Sequence, residues 1–265
     1  MAQINFSLPR VIAAVHLLPS EISRAAQACP RNKIIDHAVL HAGIAVDGGA
    51  GGVYFQDTRD VPWGTSVHPE TQKLMTDVGR ELRRTFPKIV LGVSCMAHGA
   101  KEPLSIAQAI DANFVRLKVY VGVMVKMEGL VTGCAHEAIQ HRAQIGAENV
   151  AILADVYDRL GEPLAPMPLP EACHQAVNFG RADALVLTGK SVAHSQAMFD
   201  EVRPLGLPAP LILGGGATAA NAKLFASRAD AFIVHGAFAR KGLPSQNGVP
   251  VEWDVALVRE FVNAL

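Results

Sequence analysis

Ionisable side chains lie at the ends of several apolar stretches of this sequence, where a buried charge requires a functional role or an ion-pair partner. Asp155 ends the stretch VAILAD, Lys118 ends FVRLK, and His16 ends VIAAVH. Carboxylate, amine and imidazole groups serve proteins as general acids, general bases and nucleophiles. Because burial of an unpaired charge is costly, these positions indicate a functional site. The predicted catalytic residues are Asp155, Lys118, Asp57 and His16.

Two lysines leave two chemistries open. A lysine that is desolvated in a barrel mouth loses its proton and attacks a carbonyl carbon as a Schiff-base nucleophile. A lysine that keeps its charge binds phosphate or carboxylate instead. Lys118, at the end of an apolar stretch, is the better nucleophile candidate, whereas Lys190 lies in TGKS beside glycine-rich segments and fits anion binding.

The surroundings of Asp155 also allow more than one role. Its apolar neighbours VAILA predict a low dielectric, which favours a general base or a metal ligand. The structural alternative is a buried ion pair with Arg116. A divalent metal held by His16, Asp57 and Asp155 is a third alternative, but the histidines near strand ends form no HxH or HExxH pair. No cofactor is therefore predicted, and a divalent metal remains the alternative.

Glycine-rich corners follow the last apolar stretches of the chain. LIL is followed by GGG, AFIV by His235-Gly236, and ALVLT by Gly189. Glycine lets backbone N–H groups approach a ligand, and a following helix favours an anion there. The predicted phosphate-binding residues are Arg116, Gly189, Lys190, Gly214, Gly215, Gly216, His235 and Gly236.

Eight apolar stretches alternate with amphipathic stretches of helical spacing, which predicts βαβ units and a parallel sheet. Eight such units in 265 residues favour closure into a (β/α)₈ TIM barrel, a single α/β domain over residues 1–265. The predicted strands are Val11–Leu18, Gly52–Gln56, Ile89–Cys95, Phe114–Val119, Val150–Val156, Ala184–Thr188, Leu211–Leu213 and Ala231–Val234. Three long connections, Asp57–His68, Tyr120–Ala135 and Asp158–Pro170, are predicted to be loops that cover a ligand at the carboxyl ends of the strands.

The composition restricts the partners of the protein. Lys plus Arg and Asp plus Glu both total 24, and this balance argues against a nucleic-acid or anionic-membrane binder. The N-terminus MAQINFSLPR has no long apolar segment after a basic start, and no apolar run reaches membrane-spanning length. We therefore expect a soluble cytoplasmic protein whose four scattered cysteines are reduced.

The motifs also occur in a familiar order. VIAAVHLLP, LGVSC, FVRLKVYVGVMV, HEAIQHRAQIGAENVAILADV, ADALVLTGKS, LILGGGAT and ADAFIVHGAFARKG follow one another along the chain. In this the chain resembles the BtpA/SgcQ family along nearly its whole length. The resemblance implies a (β/α)₈ barrel with a phosphate site, soluble and often oligomeric. Members are named for photosystem I biogenesis in one branch and for a sugar-phosphotransferase gene cluster in another.

Several positions depart from the family pattern. Lys118 stands where the family usually has Asn, and Arg159-Leu160 stand where a Lys-His pair normally follows the fifth strand. Phe55-Gln56-Asp57 replace a Val-Glu-Asn run. The residues that match are His16, Arg116, Asp155, Gly189 and Gly214 to Gly216. The resemblance thus covers the scaffold and the glycine-rich segment Gly214 to Gly216, here called the anion corner, while several residues at the mouth of the barrel differ.

Two functions follow from these observations. The first is an enzyme of lyase or isomerase type that acts on a small phosphorylated sugar or keto acid, with phosphate held after the sixth to eighth strands. The second is a non-catalytic ligand-binding or assembly factor that retains the barrel, for which the altered mouth residues speak. In both, the expected partners are a small phosphorylated metabolite and further copies of the same chain, without nucleic acid or membrane insertion.

Overall fold

A computed structural model of the protein describes residues 6–265. The first five residues of the N-terminal segment, considered above for a targeting signal, lie outside the described residues. In chain order the strands are β1 (Val11–His16), β2 (Gly52–Gln56), β3 (Val90–Ser94), β4 (Phe114–Leu117), β5 (Val123–Lys126), β6 (Gly129–Thr132), β7 (Ala151–Asp155), β8 (Glu162–Pro163), β9 (Ala184–Leu187), β10 (Leu211–Leu213) and β11 (Ala231–Val234).

Helices separate the longer strands, as the amphipathic stretches predicted. They are α1 (Arg31–Asp47), α2 (Pro69–Thr85), α3 (Lys101–Ala109), α4 (Ala135–Gln144), α5 (Leu169–His174), α6 (Val192–Val202), α7 (Ala219–Ala222) and α8 (Val255–Asn263). The last turn after α5 is a π-helix over Gln175–Phe179, and α7 continues as a 3₁₀ turn over Lys223–Phe225. Within the described residues, no helix has the length and apolar composition needed to span a membrane.

The strands β1, β2, β3, β4, β7, β9, β10 and β11 close into a parallel barrel in which β11 pairs back with β1. This confirms the predicted (β/α)₈ barrel. Parallel pairing brings the polar ends of the strands to one edge, since His16 pairs with Gln56 and Gln56 pairs with Ser94. In a barrel of this kind, that carboxyl edge is where a binding site forms.

The apolar residues form an inner and an outer layer. Tyr54, Phe114 and Leu153 belong to the cluster that fills the barrel interior, and Val15, Phe55 and Leu187 belong to the larger cluster that packs against the helices. Alternate residues of a strand point to opposite faces, so each buried strand supplies both layers. A side chain at Gly92 would overlap the ring of Phe114, which is why only glycine lets this ring fill the interior.

The sequence predicted plain loops after β4 and β7. The structure instead shows that these connections form a small antiparallel sheet in the order β6-β5-β8. Met124 and Val131 are buried from this sheet against Tyr157 and Val119. Gly129, at the tight turn between β5 and β6, has a φ of 99°, which a side chain would strain. Because both connections leave carboxyl ends of strands, the sheet lies at the edge that carries the polar residues.

Candidate active site at the mouth of the barrel

A cavity of about 450 Å³ opens at the carboxyl ends of the barrel strands. His16 and Gln56 reach it from β1 and β2, and Arg116 and Lys118 reach it from β4 and the residue after β4. The opposite wall is formed by the glycine-rich corners after β10 and β11. The fold therefore brings most of the predicted site residues into one space of the size that small-molecule sites have.

Arg116 and Asp155 form a two-point ion pair at the base of this cavity. Arg116 Nε donates to Asp155 Oδ2 at 2.7 Å and Nη2 donates to Oδ1 at 2.8 Å, and Asp155 is buried. Nη1 donates to the Tyr54 hydroxyl at 3.0 Å. Burial alone would lower the pKa of Arg116, but the Asp155 carboxylate outweighs it and raises that pKa. Both oxygens of Asp155 are occupied, so the geometry matches the ion-pair alternative and leaves no free general base at this position.

Lys118 has no such partner. Within residues 6–265, its Nζ contacts only neutral acceptors, the Met96 carbonyl oxygen at 3.3 Å and Met96 Sδ at 3.1 Å. The Trp63 ring lies 6.0 Å away. Burial lowers the pKa of Lys118 to about 8, and the nearby charge of Lys126 acts in the same direction. A measurable fraction of this amine is therefore neutral and nucleophilic near pH 7.

Asp57 does not line the cavity and lies behind the Met96 peptide. Its carboxylate accepts a hydrogen bond from the Met96 N–H at 2.7 Å, while the Met96 carbonyl faces Lys118. Burial raises the pKa of Asp57 to about 6. The structure therefore gives Asp57, a predicted catalytic residue, the position of a support for the peptide against which Lys118 rests.

His16 and His235 stack on one wall, with ring centroids 3.6 Å apart and planes 15° apart. His235 Nδ1 lies 2.9 Å from the Ala14 carbonyl oxygen, which can only accept, so this nitrogen carries the proton. Burial lowers the pKa of both rings, that of His16 to about 3. Two neutral imidazoles thus face the cavity, and Nε2 of His235 is a hydrogen-bond acceptor.

The glycine-rich corners supply backbone donors. Gly215, Gly216, Gly236 and Ala237 line the cavity, and no acceptor for their backbone N–H groups is found in the part of the chain that the structure describes. The N–H of Gly214 is different, because it donates to the Leu187 carbonyl oxygen at 3.1 Å. Unpartnered backbone N–H groups of residues that line one cavity suit an anion such as phosphate.

Two residues predicted to hold phosphate lie elsewhere. Gly189 is buried outside the cavity, and its N–H donates to Ser195 Oγ at 3.0 Å. Lys190 is exposed and forms an ion pair with Glu162 of β8. Lys190 borders a second cavity of about 310 Å³ between the small sheet and α6. Gly189 therefore contacts the start of α6 and Lys190 contacts the small sheet, and neither residue lines the main cavity.

Arg159 is the cation at the anion corner that sequence reasoning did not select. It lines the cavity, is exposed, and has no ion pair with any described residue. Its Nη1 would lie 3.6 Å from a Cβ added at Gly215. Its position after β7 was visible in the sequence only as a departure from the family pattern, which did not show that it faces Gly215.

The residues that come closest to a metal site are not those predicted. Of the described residues, His37, His41 and Glu252 bring ligand atoms within 4.8 Å of one another, whereas His16, Asp57 and Asp155 do not. His41 uses both ring nitrogens, because Nδ1 lies 2.8 Å from the His37 carbonyl oxygen and Nε2 accepts from the Glu252 N–H at 3.0 Å. Arg59 donates to both oxygens of Glu252. The cluster thus ties α1 to the segment before α8 through hydrogen bonds and an ion pair.

The fold and the cavity define a TIM barrel with a polar mouth, and comparison with solved barrels agrees. The match with a structure described as "Native KDPGal structure" extends over 99% of this chain and 96% of that one, with 14% identity and a TM-score of 0.59. KGPDC from Streptococcus mutans matches over 97% of both chains, with 11% identity and a TM-score of 0.58. Phosphoribosyl anthranilate isomerase from Thermus thermophilus gives 15% identity and a TM-score of 0.52, over 96% and 97% of the two chains.

The chain belongs to the BtpA family, whose model matches residues 8–265. The photosystem I biogenesis protein BtpA of a Synechocystis species is 29% identical over 88% of this chain and 81% of its own length. An uncharacterized protein of Archaeoglobus fulgidus is 30% identical, covering 88% of this chain and 92% of its own. The resemblance inferred from the motifs is thereby confirmed.

Proposed function

We propose that this protein is a lyase or isomerase that binds a small phosphorylated carbonyl compound and attacks its carbonyl carbon with the amine of Lys118. The observation that carries the proposal is that Lys118 lines the cavity while its Nζ contacts only the neutral acceptors of Met96. With a pKa of about 8, roughly one amine in ten is unprotonated at pH 7. Such an amine is a competent nucleophile.

The covalent step balances without a further reagent. The lone pair of Lys118 Nζ forms a C–N bond to the carbonyl carbon, and one proton of the nitrogen moves to the carbonyl oxygen to give a carbinolamine. A second proton, supplied by solvent, allows that oxygen to leave as water, and the nitrogen becomes the cation of a Schiff base. The cationic imine then withdraws electrons from the adjacent carbon, which favours either loss of a proton there or cleavage of the next carbon–carbon bond.

The phosphate of the ligand fits the opposite wall. The unpartnered N–H groups of Gly215, Gly216, Gly236 and Ala237 and the guanidinium of Arg159 provide donors and positive charge. The loops after the last strands are also where barrels of this kind hold phosphate. One barrel of similar fold is described as a phosphoribosyl anthranilate isomerase, and its name supports the analogy at the level of the fold and no further.

Proton transfer needs a group other than Asp155, because Arg116 occupies both of its oxygens. The neutral rings of His16 and His235 line the same cavity. Nε2 of His235 has its lone pair available, since Nδ1 carries the proton. We therefore assign removal of the proton from the carbon next to the imine to His235 Nε2, with His16 stacked against it.

Reductive trapping tests the proposal. The protein is incubated with dihydroxyacetone phosphate or ribose 5-phosphate and sodium cyanoborohydride, and the modified peptide is located by mass spectrometry. We expect an adduct on Lys118 that is lost in Lys118→Met and kept in Lys190→Met, which removes an exposed amine near the mouth. Turnover of a phosphorylated carbonyl compound without any trapped lysine would exclude the Schiff base.

A binding function without chemistry is the second candidate, and one observation favours it. Asp155, a carboxylate at the carboxyl end of a barrel strand, is engaged in an ion pair instead of facing a ligand. A relative over most of the chain is moreover named for photosystem I biogenesis. This candidate predicts that inorganic phosphate raises the melting temperature while no phosphorylated compound is turned over and no lysine is trapped.

A further inference from the structure

A second lysine lies close to Lys118 and has the carboxylate partners that Lys118 lacks. Lys126, at the end of β5, places its Nζ 2.7 Å from Asp158 Oδ2 and 3.4 Å from Glu128 Oε1. The side chains of Lys126, Asp158 and Glu128 are 5%, 7% and 1% exposed, respectively. Lys118 and Lys126 both line one small cavity, and the charge of Lys126 acts on Lys118.

The carboxylates of this cluster depend on Lys126. Neither oxygen of Glu128 nor Oδ2 of Asp158 has a hydrogen-bond donor among residues 6–265, apart from the ion pairs with this amine. Asp158 Oδ1 accepts from the Leu160 N–H at 3.0 Å, which fixes the carboxylate on the side of Lys126. Buried carboxylates without a cation are costly, so Lys126 holds both in place.

We propose that Lys126 is a positioning residue that keeps Lys118 free of a carboxylate partner by engaging Asp158 and Glu128 itself. The inference rests on the proposed function of Lys118 as the nucleophile. In this proposal the sheet β6-β5-β8 contributes to catalysis, because Lys126 lies in β5 and Asp158 lies in the connection before β8.

The other charged groups around Lys118 do not supply a partner either. The titratable groups that interact electrostatically with Lys118 are Asp57, Cys95, His98, Arg116, Lys126 and Asp158. Asp57 is occupied by the Met96 N–H and Arg116 by Asp155. Burial raises the pKa of the Cys95 thiol well above its usual range, so this group stays neutral. Burial also lowers the pKa of His98, so its ring adds little positive charge.

The direction of the shift at Lys118 agrees with this arrangement. Burial is the largest cause of its lowered pKa, and the positive charge of Lys126 lowers it further. Asp158 and Asp57 act in the opposite direction. If Lys126 loses its amine, Asp158 needs another cation, and Lys118 lines the main cavity together with Asp158. The charged form of Lys118 then gains an ion pair, and its nucleophilicity falls.

The test measures the reactivity of Lys118 without any phosphorylated substrate. The full chain is labelled with acetic anhydride from pH 6 to pH 10, and acetylation of Lys118 is compared with that of exposed Lys73 by mass spectrometry. In Lys126→Met we expect the reactivity of Lys118 at pH 7 to fall about tenfold or more, which is one pKa unit or more. Lys126→Arg, which keeps the charge and both carboxylate contacts, is the matched control and should label as the unmodified protein does.

A second variant covers the case in which Lys126→Met does not fold. Lys126→Met/Glu128→Gln leaves a single carboxylate, Asp158, for Lys118, and should lower the reactivity in the same direction. Adding Asp158→Asn to this double variant removes the new partner and should restore the reactivity. Unchanged labelling of Lys118 in a folded Lys126→Met protein overturns the inference, even if reductive trapping succeeds. A fall in labelling together with failed trapping overturns the proposed function alone.

Discussion

Arg116 and Asp155 meet through two parallel hydrogen bonds of 2.7 Å and 2.8 Å across the neighbouring strands β4 and β7. The pair lies at the base of the cavity, where it fixes a guanidinium that also donates to the Tyr54 hydroxyl. Its effect is to present a neutral ion pair at the floor of the cavity rather than a carboxylate ready to remove a proton. The chemistry of the mouth is thereby left to Lys118 and the two histidines.

Removing one partner of this ion pair should lower the free energy of unfolding more than replacing both partners with apolar residues. In Asp155→Ala the guanidinium stays buried without its partner, and we expect the free energy of unfolding to fall by about 3 to 5 kcal/mol. Arg116→Met/Asp155→Leu replaces both charges with apolar groups and should recover most of that loss. Urea denaturation monitored by circular dichroism measures both. Equal losses in the single and the double variant would show that the two side chains are not coupled.

Two glycines of the cavity wall should respond differently to the same change. A Cβ at Gly214 would overlap Thr188 Oγ1 and Val186 Cγ1, whereas a Cβ at Gly236 meets no atom within 4 Å. We expect Gly214→Ala to lower the free energy of unfolding by about 1 to 3 kcal/mol. Gly236→Ala should leave it unchanged or raise it by about 0.4 to 1 kcal/mol, because alanine restricts the unfolded chain. Thermal denaturation of both variants checks the contrast, and similar melting temperatures would contradict it.

The barrel could be predicted from the sequence because each of its strands is a short apolar run that ends at glycine or a polar residue. The small sheet β6-β5-β8 could not. Its strands are two to four residues long. They are stabilised by contacts between distant parts of the chain, such as that of the Asp158 N–H with Met124 Sδ, 34 positions away. Local pattern carries no information about such a contact.

The sequence predicted where the site lies in the barrel, but not which side chains and backbone groups of the site bond to each other. Asp155 and Arg116 are 39 positions apart in the chain, and the sequence left both a free base and an ion pair open for Asp155. Gly189 looks like the other strand-ending glycines, yet a local hydrogen bond to Ser195 uses its N–H. Arg159 faces Gly215 only because β7 and β10 lie on either side of β9 in the barrel.

The pH dependence of stability should reveal the buried Asp57. Burial raises its pKa to about 6, above the ordinary value of about 3.9. Between these two values the folded protein binds the proton more tightly than the unfolded chain, so the free energy of unfolding falls as pH rises from about 4 to about 6. The loss contributed by this group reaches up to about 3 kcal/mol above pH 6, since one unit equals about 1.4 kcal/mol.

Asp57→Asn should remove that contribution while its side-chain oxygen still accepts from the Met96 N–H. We expect the variant to be more stable than the unmodified protein at pH 8 and to show no advantage at pH 4. Urea titrations at several pH values give the difference. Asp36→Asn, on the exposed surface of α1, controls for loss of one carboxylate. A difference that is the same at both pH values would contradict the assignment.

Arg159 should contribute to phosphate binding, because it lines the cavity beside the anion corner and has no ion-pair partner among the described residues. Arg159→Met keeps a long apolar side chain but loses every donor, so binding of inorganic phosphate should weaken by about ten- to a hundredfold, the equivalent of about 1.5 to 3 kcal/mol for a charged hydrogen bond. Isothermal titration calorimetry measures the dissociation constant. The melting temperature should change little, since Arg159 forms no hydrogen bond or ion pair with a described residue. Arg240→Met, which removes another exposed arginine paired with Asp254 outside the cavity, should leave phosphate binding intact. Equal weakening in both variants would mean that phosphate responds to net charge and not to a corner built from Arg159 and the glycine N–H groups.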